Sequence, residues 1–171
     1  LPKLVAMLQQ MDIPANFNLL MLPARDGGHD ACALQVGHDD MVGLMREFPG
    51  HFSSRMAGLA PRDPVCGAGR TTLALDPHGK VYPCLLYRAT CGSLREQTLD
   101  EIWCRSSEMT TTAAITLDDL PDCAACALRC HCNRCLGLAH QAGNAPLGKN
   151  NLDCAYAKAL YSSQIGGIPH E

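Results

Sequence analysis

Five cysteines fall within thirteen residues, Cys123-Ala-Ala-Cys126-Ala-Leu-Arg-Cys130-His-Cys132-Asn-Arg-Cys135, in a chain of 171 residues that holds eleven. Cys66 and Cys84 stand upstream, with Gly79 five residues before Cys84, and Cys154 stands downstream. Thiols at this density must be gathered by something, and the candidates are disulfides, zinc or iron–sulfur clusters. Disulfide scaffolds are mostly short, exported and even in cysteine count. Here the count is odd, and the opening LPKLVAMLQQMDIP lacks the apolar core and cleavage site of an export signal. The 47% hydrophobic content can also build a core without staples.

Composition excludes several further classes. Aromatic residues make up 5% of the chain, too few for a base-stacking surface. The net charge is −3, and the 14 Lys and Arg are scattered, so a nucleic-acid backbone has no electrostatic footprint to meet. No apolar run approaches the roughly 20 residues needed to span a bilayer. A cytoplasmic setting, with neither nucleic acid nor membrane as partner, is the expectation.

Along the chain, residues 1–60 read as the end of an α/β unit. Leu4, Leu8 and Met11 mark one face of an amphipathic helix, which reads as cut from a longer protein. The apolar run Phe17–Leu22, closed by Pro23 and Asp26-Gly27-Gly28, reads as a buried strand. A second helix is expected from Asp39 or Asp40 to Phe48. Helix, buried strand and helix is the repeat of a parallel sheet with helices outside. Residues 51–65, with Gly58, Pro61 and Pro64, read as a linker.

The remaining part, residues 61–171, holds the cysteines. A hairpin is expected from Thr71–Leu75 and Lys80–Tyr82, joined by Asp76-Pro77-His78-Gly79. It carries Cys66 back to Cys84 across eighteen residues of sequence. Thr98-Leu99-Asp100-Glu101 has capping-box form and opens a helix whose core face is Leu99, Ile102 and Trp103. A last helix near Leu152–Ser162 carries Cys154. The tail from Gly166 to Pro169 is expected to fray.

Zinc sites commonly pair two CxxC units some 12–20 residues apart. Cys123/Cys126 and Cys132/Cys135 are separated by five residues, and a zinc reading strands Cys66, Cys84 and Cys154 one ligand short. Iron–sulfur cubanes are wider and draw on closely spaced runs plus a distant cysteine. Spacing favours iron–sulfur, with a zinc-binding interaction module or a stand-alone electron carrier as alternatives.

The pattern Cys66-x12-Gly79-x4-Cys84, then Cys123-x2-Cys126-x5-Cys132-x2-Cys135, then Cys154 resembles the SPASM domain, the auxiliary-cluster domain of radical S-adenosylmethionine enzymes. LALDPHGKVYPC resembles the family's hairpin, and Gly92–Arg95 with Leu99–Trp103 the helix after it. The resemblance spans residues 62–160 and implies an α+β chain: the end of a TIM-like partial barrel, then a small cysteine-rich domain. It implies two [4Fe–4S] clusters, the first on Cys66, Cys84 and Cys135, the second on Cys123, Cys126, Cys132 and Cys154. The cysteine that completes the first cluster in other members has no counterpart in residues 51–65, so that iron is left open or is met by Cys91, Cys130 or His131.

The initiating Cys-x3-Cys-x2-Cys loop, which holds a third cluster and S-adenosylmethionine, is absent here: Cys126-x3-Cys130 is followed by Asn133. The chain alone is therefore expected to be inactive. Family members that oxidise serine or cysteine in sulfatases carry Asp directly after the residue matching Cys84, where this chain has Leu85. The resemblance thus points to modification of a ribosomally made peptide, with flavodoxin or ferredoxin as reductant. Cys32 and Cys104 are expected to be small buried hydrophobes. Arg129 and Arg134 are read either as donors to cluster sulfur or as solvated loop charges, and His131 as a supporting or solvated side chain.

Overall fold

The computed structural model describes residues 1–22, 24, 28, 30–141 and 145–165. Seven α-helices, four short 3-10 turns and one small sheet make up the regular structure among these, an α+β arrangement. Helices α1 (Pro2–Gln10) and α2 (His38–Glu47) precede the sheet. The strands β1 (Ala74–Leu75), β2 (Lys80–Tyr82) and β3 (Gly92–Ser93) are antiparallel in that order. Then come α3 (Leu99–Arg105), α4 (Ser107–Ala114), α5 (Pro121–Ala124), α6 (Leu136–Gln141) and α7 (Asn151–Ile165). The expected tail at 166–169 lies outside the described residues, as do Pro23 and the Asp26-Gly27 part of the loop after it.

Helix α2 has Asp39 and Asp40 in its first turn and Arg46 in its last, each sign at the favourable end of the helix dipole. Its buried face, Met41, Val42 and Met45, meets Tyr156, Ala159 and Leu160 of α7, with Phe52 closing the cluster. Arg46 donates to the Ser162 carbonyl at 2.9 Å. The last helix of the cysteine-rich part therefore packs directly on the N-terminal part. Helix α1 turns a different face inward from the one expected. Val5 is its buried residue, while Leu4 and Met11 are exposed.

Residues 17–22 form no strand. Neighbouring strands that would pair with them are absent among the described residues, and side chains supply the bonds instead. Gln35 accepts from the Met21 N–H and donates to the Leu19 carbonyl, both at 2.8 Å. Asn18 accepts from the Leu20 N–H at 2.9 Å, and the Phe17 N–H reaches the His51 carbonyl at 2.9 Å. An apolar run needs a ladder to become a strand, and here one amide side chain satisfies the main chain in its place.

The hairpin forms with Ala74 opposite Tyr82 and Leu75 opposite Val81, a little shorter than expected. Asp76 makes the turn. Its carboxylate accepts from the N–H groups of His78 and Lys80, both at 2.9 Å, and from the Tyr82 hydroxyl at 3.1 Å. Gly79 ends the turn at φ 86, a conformation that a side chain disfavours. The third strand, Gly92–Ser93, is an addition to the expected hairpin and pairs with Lys80 and Val81.

Helix α3 starts at the expected box. Thr98 accepts from the Glu101 N–H, and Glu101 accepts from the Thr98 N–H. Its core contact is Ile102, fully buried with Val81 and Met109, while Trp103 is half-buried beside them. Leu99, expected on that face, is 46% exposed and lies outside the buried cluster of Val81, Ile102 and Met109. Full burial of one side chain and exposure of the other set a clear contrast. Ile102→Ala is expected to lower unfolding free energy by about 2–5 kcal/mol, and Leu99→Ala by less than about 0.5, in urea titrations of the two variants.

Candidate functional site

The segment expected as a linker proves to be the clamp of the site. Residues 52–65 contain no helix or strand, yet Phe52, Met56 and Val65 are buried. Ser54 donates to the Cys130 carbonyl at 2.6 Å, and the Met56 N–H reaches the Cys132 carbonyl at 3.1 Å. Asn133 accepts from the Arg55 N–H at 2.8 Å and donates to the Ser53 carbonyl at 2.6 Å. Asn133 thus fixes the cysteine run to residues 53–56. Its place inside that run was the one sequence signal for this role, and spacing arguments about cysteines pass over it.

Cys66, Cys84 and Cys135 line one cavity of about 460 Å³, together with Arg55, Leu73, Leu85, Leu86 and other residues. Two contacts assemble it. The Gly69 N–H meets the Pro83 carbonyl at 2.9 Å, which draws the chain after Cys66 onto the chain before Cys84. Gly137, in the first turn of α6, lies against Leu86 and Tyr87 so closely that an added Cβ would stand 2.6 Å from the Leu86 carbonyl carbon. That approach brings Cys135 to Cys84. A second cavity of about 260 Å³ adjoins the first, sharing Arg55, Leu86 and Cys135, and is lined further by Asn16, Asn18, Ser53, Asn133, Asp153 and Tyr156 among others.

The other four candidate ligands are grouped by charge proximity. Cys154 on α7 feels Cys123 and Cys126, and Cys132 feels Cys154 and Cys123. Burial raises the Cys132 thiol most, and the Asp153 carboxylate adds to it, to a pKa of about 12, although the Arg134 amide bonds the sulfur. Burial also raises Cys135, against the amides of Leu138 and Gly137 that bond its sulfur. Cys154 is raised first by burial and then by its two cysteine neighbours. Without a cation these thiols keep their protons. A bound metal supplies the charge that makes them thiolates.

Hydrogen-bond direction separates the cysteines. The Tyr87 N–H donates to Cys84 Sγ at 3.1 Å, and main-chain amides also donate to Cys132 and Cys135. Such donors suit thiolate sulfur and tune the potential of a cluster. Cys91 instead donates to the Ala89 carbonyl at 3.8 Å, although it also takes a bond from Ser106, and it packs beside Val81 and Ile102. Cys104 donates to Asp100 at 3.7 Å; it is exposed on α3, not buried as expected, and Cys32 is half-buried. Cys130 is exposed. His131 is bonded through Nε2 to Gln164 at 3.0 Å and lies edge-on to Tyr161. None of Cys91, Cys130 and His131 lines the cavity of Cys66, Cys84 and Cys135.

Arg134 fits neither expected role, since it is 1% exposed and its guanidinium points at carbonyls. It donates to the carbonyls of Cys135, Pro146 and Gly148, and its charge faces Asp153 at 3.8 Å. Asp153 in turn accepts from the Cys135 N–H at 2.9 Å. Burial raises the Asp153 pKa to about 6, against the Cys135 amide and the charges of Arg134 and Arg55. Arg129 is half-buried.

The donor set fits an iron–sulfur cage better than a single ion. A zinc tetrahedron with Zn–S near 2.3 Å needs sulfurs about 3.8 Å apart. Among the described residues no three His, Cys, Asp or Glu side chains stand close enough to share one ion. The cavity lined by Cys66, Cys84 and Cys135 has three thiols and no carboxylate in its wall, which suits a larger, sulfide-bridged group.

Comparison with known proteins agrees. Residues 66–135 match the family model SPASM, described as an iron-sulfur cluster-binding domain. The match covers six of the seven candidate ligands and stops short of Cys154. No curated protein and no solved structure matches the chain. The similarity over this segment supports iron–sulfur cluster binding. Among the described residues no helix is long and apolar enough to cross a membrane.

Two measurements probe the geometry. In the metal-free chain at pH 8, iodoacetamide is expected to alkylate the exposed Cys126 and Cys130 at least about tenfold faster than Cys132, because a thiol with a pKa near 12 is about one ten-thousandth ionised there. Peptide mapping by mass spectrometry reads the order. Gly137→Ala, which in an ordinary helix interior stabilises by up to about 1 kcal/mol, is expected here to destabilise by about 1–3 kcal/mol in denaturant titration, since the methyl meets backbone.

Proposed function

We propose that this chain is the auxiliary-cluster part of a radical S-adenosylmethionine enzyme that modifies a ribosomally made peptide. It would hold one cluster on Cys66, Cys84 and Cys135 and a second on Cys123, Cys126, Cys132 and Cys154. The observation that carries the reading is the single cavity lined by Cys66, Cys84 and Cys135, three residues spread over 70 positions. The charge proximity of Cys123, Cys126, Cys132 and Cys154 supports the second set.

Bound clusters would supply one-electron chemistry and a Lewis-acidic iron, and the protein residues would set their surroundings. Tyr87, Gly137 and Leu138 donate main-chain N–H groups to the sulfurs of Cys84 and Cys135. Leu73, Leu85 and Leu86 line the first set with apolar side chains. With Leu85 at the cavity, the position after Cys84 has no proton acceptor, which speaks against the sulfatase-type oxidation. Because no fourth thiol lines the cavity, one iron would stay open to a substrate group.

The second set has Cys126 and Cys154 at the surface, an arrangement suited to taking electrons from a flavodoxin or ferredoxin. The exposed apolar side chains Leu4 and Met7 of α1 and Met11 just after it, together with the ladderless run at 17–22, support the reading of residues 1–60 as the end of a barrel that packs on further structure.

Anaerobic reconstitution followed by iron and sulfide analysis tests the cluster assignment. The native chain is expected to hold about eight of each, and Cys84→Ser or Cys132→Ser about four, as two cubanes require. One equivalent of zinc without sulfide would sink the proposal and leave a zinc-binding interaction module.

A further inference from the structure

We propose that Arg134 and Asp153 form a buried strut that couples the two thiol sites, so that filling either one raises the affinity of the other. The proposal rests on the reading that both sites take iron–sulfur clusters. It assigns to these two side chains a positioning role beyond that reading.

The two residues sit between the sets by sequence and by contact. Arg134 lies between Cys132 of one set and Cys135 of the other, and Asp153 directly precedes Cys154. Asp153 Oδ2 accepts from the Cys135 N–H at 2.9 Å, so the helix that carries Cys154 is bonded to the main chain of the other site. Arg134 donates to the Cys135 carbonyl and also to the carbonyls of Pro146 and Gly148, which lead into α7. Asn150 then accepts from the N–H groups of Leu152 and Asp153, at 2.8 and 3.4 Å, holding the first turn of α7. A shift of α7 at Cys154 therefore bears on the bond to Cys135, and the reverse.

Energetics point the same way. Arg134 and Asp153 are 1% and 2% exposed, and their charges meet at 3.8 Å, a distance too long for close charge-assisted bonding. A buried pair of this kind contributes little net stability compared with apolar side chains of the same size. What it does contribute is register, because each partner alone would be an uncompensated buried charge. A strut that holds one geometry lowers the ordering cost at the second site once the first is filled, and the coupling is reciprocal by linkage.

Native mass spectrometry of the chain, reconstituted with half the iron and sulfide needed for full loading, reads the coupling directly. Independent equal sites place about half of the chains in the one-cluster state, and unequal sites place more there. Between otherwise equal sites, a coupling factor of about five or more cuts that fraction below about one third. The native chain is expected to show a smaller one-cluster fraction than Asp153→Ala, in which that fraction returns to about half or more.

Cys126→Ser, at an exposed position away from the strut, is expected to raise the iron concentration for half-loading of the first site at least about fivefold. This variant decides the question if Asp153→Ala does not fold. A one-cluster fraction in the native chain no lower than that in folded Asp153→Ala overturns the strut, as does first-site loading unchanged by Cys126→Ser. Chains that take up no iron and sulfide at all overturn the cluster reading and the strut with it. That result is distinct from uncoupled loading.

Discussion

The site depends on one close approach. The first turn of α6 can lie against the main chain of Leu86 and Tyr87 only because residue 137 is glycine. That contact places Cys135, which immediately precedes α6, in the same cavity wall as Cys84. It also leaves the Tyr87 N–H free to bond Cys84 Sγ, while the amides of Gly137 and Leu138 bond Cys135. Gln141, at the end of the same helix, donates to the Leu86 carbonyl at 2.8 Å and fixes the far end of the contact. The Gly69–Pro83 bond then delivers Cys66, so three thiols distant in sequence share a wall without any covalent tie.

The same thiols belong to the hydrophobic core. Cys66, Cys84, Cys123 and Cys132 pack against Met56, Val65, Tyr87, Leu117, Leu120 and Leu136. A protonated thiol behaves there as a small apolar side chain, so the metal-free chain keeps a packed centre. Metal binding would remove those protons and replace thiol contacts by bonds to the metal, which would tie cofactor affinity to the integrity of this core. Burial that raises the Cys132 and Cys135 thiols opposes ionisation in the metal-free state, and the amide donors offset part of that opposition.

Local chemistry was legible in the sequence where a few neighbouring residues decide the outcome. Thr98 and Glu101 cap α3 as their spacing requires, Asp76 and Gly79 make the hairpin turn, and α2 and α7 fall within a few residues of their expected bounds. The family match likewise follows from cysteine spacing that can be read directly. Elements that depend on distant partners were not legible. Phe17–Leu22 has the composition of a strand, but a ladder comes from other segments, and Gln35 bonds it instead. Leu99 and Ile102 share a helix face by periodicity, yet only Ile102 meets the distant partners Val81 and Met109 that cover it. Gly92–Ser93 is too short and too weak in β-propensity to announce a strand, and forms one because β2 offers an open edge.

The clamp at residues 53–56 shows why polar contacts are the hardest to foresee. Gly, Pro and Ser around it read as a loose connection, and nothing in its composition reveals that Ser53, Ser54 and Arg55 are bonded to residues almost eighty positions away. Those bonds are main-chain to side-chain and follow from shape rather than pattern. They nevertheless decide how the two halves of the chain communicate. Arg55 lines both cavities, and its charge is felt by Cys135 and Asp153, so a segment without helix or strand joins the N-terminal unit to the thiol sites. A change at Ser53, Ser54 or Arg55 would be transmitted to Cys130, Cys132 and Asn133 through hydrogen bonds alone, while the apolar core stays intact. Stability and cluster geometry are therefore separable there, as they are not at the buried cysteines.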